Sequence, residues 1–244
     1  MLLRLVACEI AFREICFVAA RAKSLLHLTF LPQGYHDNPD LGRERLQQEL
    51  DATEPNRYEA ILVGYGLCNY LLRGLRAPEH TPLVVPRAHD CITFFLGSKE
   101  RYEEVFRRHP GAYYYTSGWL EHQRRSGERV PHRPTSGLKR STYEEWVAQY
   151  GEDNARYLME FLSQWEHRYT HGVWIRFDFL EGLGFEEQVK AICQRRGWQF
   201  EELQGDLGLL QRWVDGDWDE EDFLIVPPGR RIVPTYDARI IAAL

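Results

Sequence analysis

Along this chain, short apolar runs alternate with amphipathic or turn-rich stretches, the order expected of a wound α/β protein. Leu2 to Cys8 predicts a strand, Ile10 to Lys23 a helix with apolar residues at helical spacing, and Leu25 to Leu31 a second strand. A turn-rich stretch from Pro32 to Pro39 leads into a helix from about Leu41 to Ala52. Its residues Leu41, Leu46 and Leu50 leave charged residues on the other face. Ala60 to Gly64 is apolar throughout, as strands covered on both faces usually are, and Pro82 to Pro86 predicts a fourth strand. A short apolar helix from Ile92 to Leu96, a helix from Ser98 to Arg108 and a strand from Ala112 to Thr116 complete the first half.

Residues 123–141 lack periodic apolar positions and are rich in Arg, Gly, Pro and Ser, which predicts a long surface loop. Helices are expected over Thr142 to Gln149 and Asp153 to Trp165. A strand (Val173 to Phe179), a helix (Phe185 to Arg196), a strand (Trp198 to Leu203) and a helix (Leu207 to Asp215) follow. A last strand runs from Phe223 to Val226, before Pro227-Pro228-Gly229. The expected architecture is a single α/β domain over 1–244: a Rossmann-like, mostly parallel sheet with helices on both faces. Its two wound halves, roughly 1–122 and 142–244, are joined by the 123–141 loop; the pattern does not tell whether they share one sheet.

Composition narrows the function classes. At 244 residues, 44% hydrophobic and 27% charged, with a mean hydropathy of -0.46, the chain has the make-up of a soluble globular protein. The start, MLLRLVACEIAF, is interrupted by Arg4, Glu9, Arg13 and Glu14 and is read as a buried strand rather than a leader. A net charge of -6 argues against coating nucleic acid or an anionic membrane. Five cysteines form an odd count with no leader, so reduced thiols in a cytoplasm are expected rather than a disulfide framework.

The positions of those cysteines carry the chemistry. Cys8 closes the first strand, Cys68 follows the third in GYGLCN, and His89 and Cys91 follow the fourth in PRAHDC. If these strands are parallel, all three segments emerge at carboxyl ends, where open α/β sheets place their ligand crevices. Cys8, Cys68, His89 and Cys91 offer sulfur and imidazole donors suited to zinc, or to an iron-sulfur cluster if cysteine dominates. Against this stands simple packing, since free cysteine is among the most buried residue types. His89 and Asp90 are the candidate catalytic residues: His89 as ligand or acid/base, Asp90 as ligand, helix cap or the carboxylate that orients His89. Arg87 suits a substrate carboxylate, or equally a structural ion pair. Of the tyrosines in YYYTSGW, Tyr113 and Tyr115 should share one strand face and Tyr114 the other; Tyr115 and Trp119 are the candidate substrate wall. Cys16 and Cys193 fall within amphipathic helices and read as core residues.

Other patterns yield less. Gly64-Tyr-Gly66 lacks the third glycine of a dinucleotide fingerprint and reads as a tight turn. His167 and His171 have zinc-like spacing without the metalloprotease glutamate, and Asp215, Asp217 and Asp219 imitate a calcium loop that lacks its glycine and its final acid. The basic stretch of Arg124, Arg125, Arg129, Arg133, Lys139 and Arg140 reads as a solvated loop, although it would suit docking to an acidic partner.

Several phrases together resemble the family known as domain of unknown function 1638, from bacteria and archaea: GYGLCN at 64–69, VPRAHDCITFFLGSKERY at 85–102, YYYTSGW at 113–119, YGEDNARYLM at 150–159 and GDLGLLQRWVDGDWDEEDFLIVPPG at 205–229. One departure is visible, because members usually continue Gly-Leu-Cys with a glycine where this chain has Asn69 and Tyr70. The resemblance brings no reaction. It implies a genomic context near corrinoid-dependent methyltransferases, hence one-carbon or methylamine metabolism, in which zinc-bound thiolates activate sulfur for methyl transfer. Two expectations follow. One is a zinc-thiolate enzyme acting on a small molecule, with Cys8, Cys68, Cys91 and His89 on the ion. The other is a non-catalytic accessory protein that binds a metal, a corrinoid or a methyltransferase partner. Neither involves nucleic acid or a membrane.

Overall fold

The computed structural model describes residues 1–36, 38–67, 70–108, 110–125, 147, 151–153, 156 and 169–244. Cys68, Asn69, His167, residues 126–141 of the expected loop and nearly all of the two helices expected over 142–165 lie outside the described residues.

Strand β1 (Leu2–Cys8) pairs in parallel with β2 (Leu25–Leu31) on one side and with β3 (Ala60–Gly64) on the other. Next to β3 lies β4 (Leu83–Pro86), also parallel, and β8 (Phe223–Val226) closes that edge antiparallel, giving the order β2-β1-β3-β4-β8. The continuous apolar character of β3 has its cause in two-sided burial. Ala60 and Leu62 enter one core while Ile61 and Val63 enter another, as the period of two along a strand requires. The first core is covered by α1 (Phe12–Ala19), α3 (Ile92–Leu96) and α7 (Gly208–Asp215); the second by α2 (Pro39–Asp51). Pro39 opens α2 at its first turn, with the Asn38 side chain accepting from Leu41 N.

A second parallel sheet has the order β5 (Ala112–Tyr115), β6 (His171–Arg176), β7 (Gln199–Gln204). Helix α6 (Phe185–Arg196) packs on it, and its Tyr115, Trp174 and Ile175 join the first core. The architecture is thus α/β with several sheets, mostly parallel, flanked by helices. The Phe223–Val226 strand belongs to the first sheet even though it lies far along the chain. Among the described residues no helix is long and apolar enough to cross a membrane.

Three local differences from expectation have physical reasons. The helix expected over Ile10 to Lys23 divides into one turn at Glu9–Ala11 and α1, and it ends at Ala19, after which the Arg21 and Ala22 amides close tighter turns on the Val18 and Ala19 carbonyls and the Lys23 amide donates to Asp215 Oδ1 at 2.8 Å. Helix α4 (Lys99–Arg108) lies close to expectation, whereas α5 (Ser117–Arg125) occupies ground read as strand end and loop. Gly118 obscured it. A Cβ there would lie 1.9 Å from the Ile10 carbonyl oxygen, so the glycine serves close packing rather than a turn. After Pro-Pro-Gly the chain forms a small antiparallel hairpin, β9 (Ile232–Pro234) with β10 (Ile241–Ala243), too short for periodicity to reveal.

Candidate functional site

The order β1-β3-β4 makes three parallel strands immediate neighbours, and each ends beside the next. Cys8, the Tyr65-Gly66-Leu67 turn and the Arg87–Cys91 segment therefore leave the sheet on the same edge. Two glycines allow the close approach. A Cβ on Gly64 would lie 2.4 Å from that of Ala7, and one on Gly66 would lie 2.7 Å from Asp90 Cα. Leu67 N also donates to the Ala88 carbonyl at 2.8 Å. Gly64 thus lets β3 lie tight against β1, and Gly66 lets one loop rest on the next.

The individual side chains take distinct roles. Cys8 is half-buried and touches both cores; Cys91 is half-buried at the entry to α3. Both carboxylate oxygens of Asp90 are used: Oδ1 accepts from Ile92 N at 2.9 Å and Oδ2 from the Tyr102 hydroxyl at 2.9 Å. Burial, followed by the Asp90 charge and its hydrogen bond, pushes the Tyr102 phenol upward in pKa. His89 is exposed and lines a cavity of about 230 Å³ with Lys99, Tyr102, Phe106 and Ile240. Arg87 is buried. Its Nε donates to the Glu220 carbonyl and its Nη1 to those of Arg239 and Ile241, so this guanidinium straps the C-terminal hairpin to the end of β4. Burial, and then the nearby Arg239 charge, lowers its pKa.

The tyrosines divide as alternation requires. Tyr113 and Tyr115 share a face, with ring centroids 5.0 Å apart, and Tyr113 also meets Trp119, Tyr169 and Trp198. Tyr115 is 5% exposed and Trp119 half-buried, so both are largely occupied by aromatic packing. Tyr114 points the other way. Its hydroxyl is buried without a hydrogen-bond partner among the described residues, and burial, then the Asp90 and Glu201 charges, push its pKa up to about 12. Of the three, Tyr114 is the one coupled to the β4 edge.

Sequence reasoning missed Glu9, Glu14, Tyr102, Tyr114 and Ser117. Glu9 is buried, accepts from Gln33 N at 2.9 Å, and was findable as the residue after Cys8 at the same strand end. Glu14 is fully buried and lies at helical spacing between Ile10 and Val18, so a charge on the apolar stripe was its signal. Tyr102 carries no sequence signal, being twelve positions beyond Asp90 on another helix. Cys193 lies in the core, its Sγ 3.7 Å from the Gly172 carbonyl oxygen, whereas Cys16 is half-buried.

By chemistry, the donors at this edge suit a soft cation. By geometry, among the described residues no three His, Cys, Asp or Glu side chains come together as a metal site. Cys8, His89 and Cys91 therefore do not make one by themselves, and Cys68 would be needed.

Fold and site together define an α/β protein with thiol, carboxylate and phenol groups gathered at the carboxyl edge of a parallel sheet. The model for the protein of unknown function family DUF1638 matches residues 30–214, well over half of the chain, and the protein belongs to that bacterial and archaeal family. No curated protein and no solved structure matches the chain.

Proposed function

We propose that the protein holds a thiolate-ligated metal ion, zinc by its donor set, at the carboxyl edge of β1, β3 and β4, and that a small molecule binds beside it. The observation that carries this is the strand order. Because β3 runs between β1 and β4, the loop bearing Cys68 starts between the elements bearing Cys8 and Cys91. Sulfur donors on three adjacent parallel strands are better matched to a ligand crevice than to core packing, which favours scattered cysteines. Cys8, Cys68 and Cys91 would hold the ion, and the exposed His89 is available as a fourth ligand or as acid/base. The ion would supply activation of a bound thiol for methyl or one-carbon transfer, the reaction class that the family resemblance implies. Asp90 contributes by fixing the start of α3 and the Tyr102 hydroxyl, and so the position of Cys91 between them.

Metal content of protein purified without oxygen tests the reading. Wild type should carry stoichiometric metal, and Cys68→Ser should lose it together with Cys8→Ser or Cys91→Ser. Metal-free wild type, or full metal retention in Cys68→Ser, would refute the site.

A further inference from the structure

Among the described residues, a fully buried ionisable group with an unmet need lies apart from the proposed metal ligands. Glu14 on α1 is 0% exposed, and its Oε1 accepts from the Ser117 hydroxyl at 2.8 Å, itself fully buried at the start of α5. Its Oε2 is buried with no hydrogen-bond partner among the described residues. An ionised carboxylate in that position would be undersolvated, whereas a neutral acid would not. The contact also sits at a seam. Helix α5 follows directly from β5 of the second sheet, and Gly118 lies against the Ile10 carbonyl just beyond β1 of the first.

The charged groups on the elements packed against α1 are engaged elsewhere. Arg13 on α1 favours ionisation, yet its guanidinium is committed to a two-pronged bridge with Glu121 of α5, at 2.9 and 2.7 Å, and Glu121 opposes ionisation. Glu9 is turned to Gln33 N, Arg21 to the Phe17 ring, and Asp178 to Arg176. On α7, Arg212 is held by Asp219 and Asp222, and Asp215 by the Lys23 amide. On α5, His122 is turned to the Trp119 carbonyl, so among the described side chains these commitments leave Glu14 no cation of its own.

We infer that the buried Glu14 carboxyl beneath α5 is a proton-dependent latch: while neutral it stays buried and α5 is held on the carboxyl end of β1, whereas ionisation leaves Oε2 in need of water and favours opening, even though the Ser117 hydroxyl bonds the carboxylate more strongly. The inference is independent of any metal. Burial is the largest cause of a Glu14 pKa raised from 4.5 to about 7, outweighing the hydrogen bonds and Arg13. Because the folded-state value is the higher one, the stability that the buried neutral acid gives the latch is full below about pH 4.5, falls as pH rises from there through about 7, and then levels off.

The test compares wild type with Glu14→Gln, which keeps shape and removes the charge. Relative to Glu14→Gln, wild-type Tm should fall between pH 4.5 and 7 and stay level above. Over the same range, opening of the 117–121 amides by hydrogen exchange, with the intrinsic rate divided out, should rise roughly a hundredfold in wild type only. Ser117→Ala provides a second handle. Loss of the hydroxyl that favours the ionised form should move the wild-type break to higher pH. Parallel pH profiles for wild type and Glu14→Gln, or an unmoved break in Ser117→Ala, would overturn the latch.

Discussion

The parallel strands of the two sheets bring their carboxyl ends to one seam and furnish them differently. In the five-stranded sheet those ends carry Cys8, Glu9, Asp90 and Cys91, and the strands behind them are buried on both faces. In the three-stranded sheet, β7 is half exposed, and β6 ends at Arg176, which is surrounded by Asp178, Glu181 and Glu202. Partly exposed ion pairs of that kind contribute little stability, and one guanidinium among three carboxylates leaves the patch negative. The contrast gathers the thiols of Cys8 and Cys91 at the carboxyl end of the first sheet and, under the proposed function, makes the second sheet a wall beside them. That wall meets the first sheet through α5, through Tyr114, and through the Gly97 turn, where a Cβ would lie 2.8 Å from Asp206.

If the first sheet depends on the second half of the chain for its core, Trp213→Ala should have the largest effect. This indole is fully buried, donates Nε1–H to the Val84 carbonyl at 3.1 Å and reaches within 3.1 Å of where a Gly64 Cβ would stand. A loss of about 3–5 kcal/mol in urea denaturation is expected. A loss below about 1 kcal/mol would mean that the first sheet is self-sufficient.

Next comes Arg87, where a strap and a substrate arm make opposite forecasts. Arg87→Met leaves the Glu220, Arg239 and Ile241 carbonyls without their donor and should cost about 2–3 kcal/mol, with hydrogen exchange accelerated at β9 and β10. Unchanged stability with weakened ligand binding would instead restore the arm.

A smaller effect separates two phenols at the seam. Tyr102→Phe removes a made hydrogen bond to Asp90 and should cost about 1 kcal/mol, whereas Tyr114→Phe removes a buried hydroxyl with no described partner and should be neutral or stabilising by up to about 1 kcal/mol. If Tyr114→Phe also impairs ligand binding while stabilising the fold, its hydroxyl belongs to the site. Equal losses in the two variants would remove the distinction between site and wall.

How far the sequence reached follows the same division. Strand identity at β3 and β4 was legible because each is an uninterrupted apolar run, and at β1 because only Arg4 breaks one, whereas the emergence of Cys8 and the PRAHDC segment at one end of the sheet was expected only on the condition that the strands are parallel. Pairing was not legible. Nothing local shows that Phe223–Val226 runs antiparallel beside β4, or that Arg87 meets carbonyls more than a hundred residues away. Tyr114 illustrates the limit from the other side: alternation separated it from Tyr113 and Tyr115, but only tertiary packing shows which face meets Asp90. Arg87 illustrates a different limit, since a guanidinium at a strand end looks the same in sequence whether its partner is a ligand or a backbone.

The smallest expected effect concerns backbone strain, and it too divides the sheets. Between 171 and 216, left-handed conformations fall on Gly182, Gly184, Gly197 and Gly216, whereas in the loop after β3 Tyr70 has a φ of 61°. Tyr70 is half exposed, and its carbonyl, not its ring, receives Arg43 Nη2 at 3.2 Å, so little packing depends on the side chain. Tyr70→Ala keeps the strain and Tyr70→Gly relieves it, so the glycine variant should be the more stable by about 1 kcal/mol, less what a glycine loses in chain entropy. Equal stabilities would mean that the loop carries no strain. If Tyr70→Gly gains stability and at the same time slows thiol modification at Cys91, the strain serves to position the first sheet's edge, as strained residues near functional sites do.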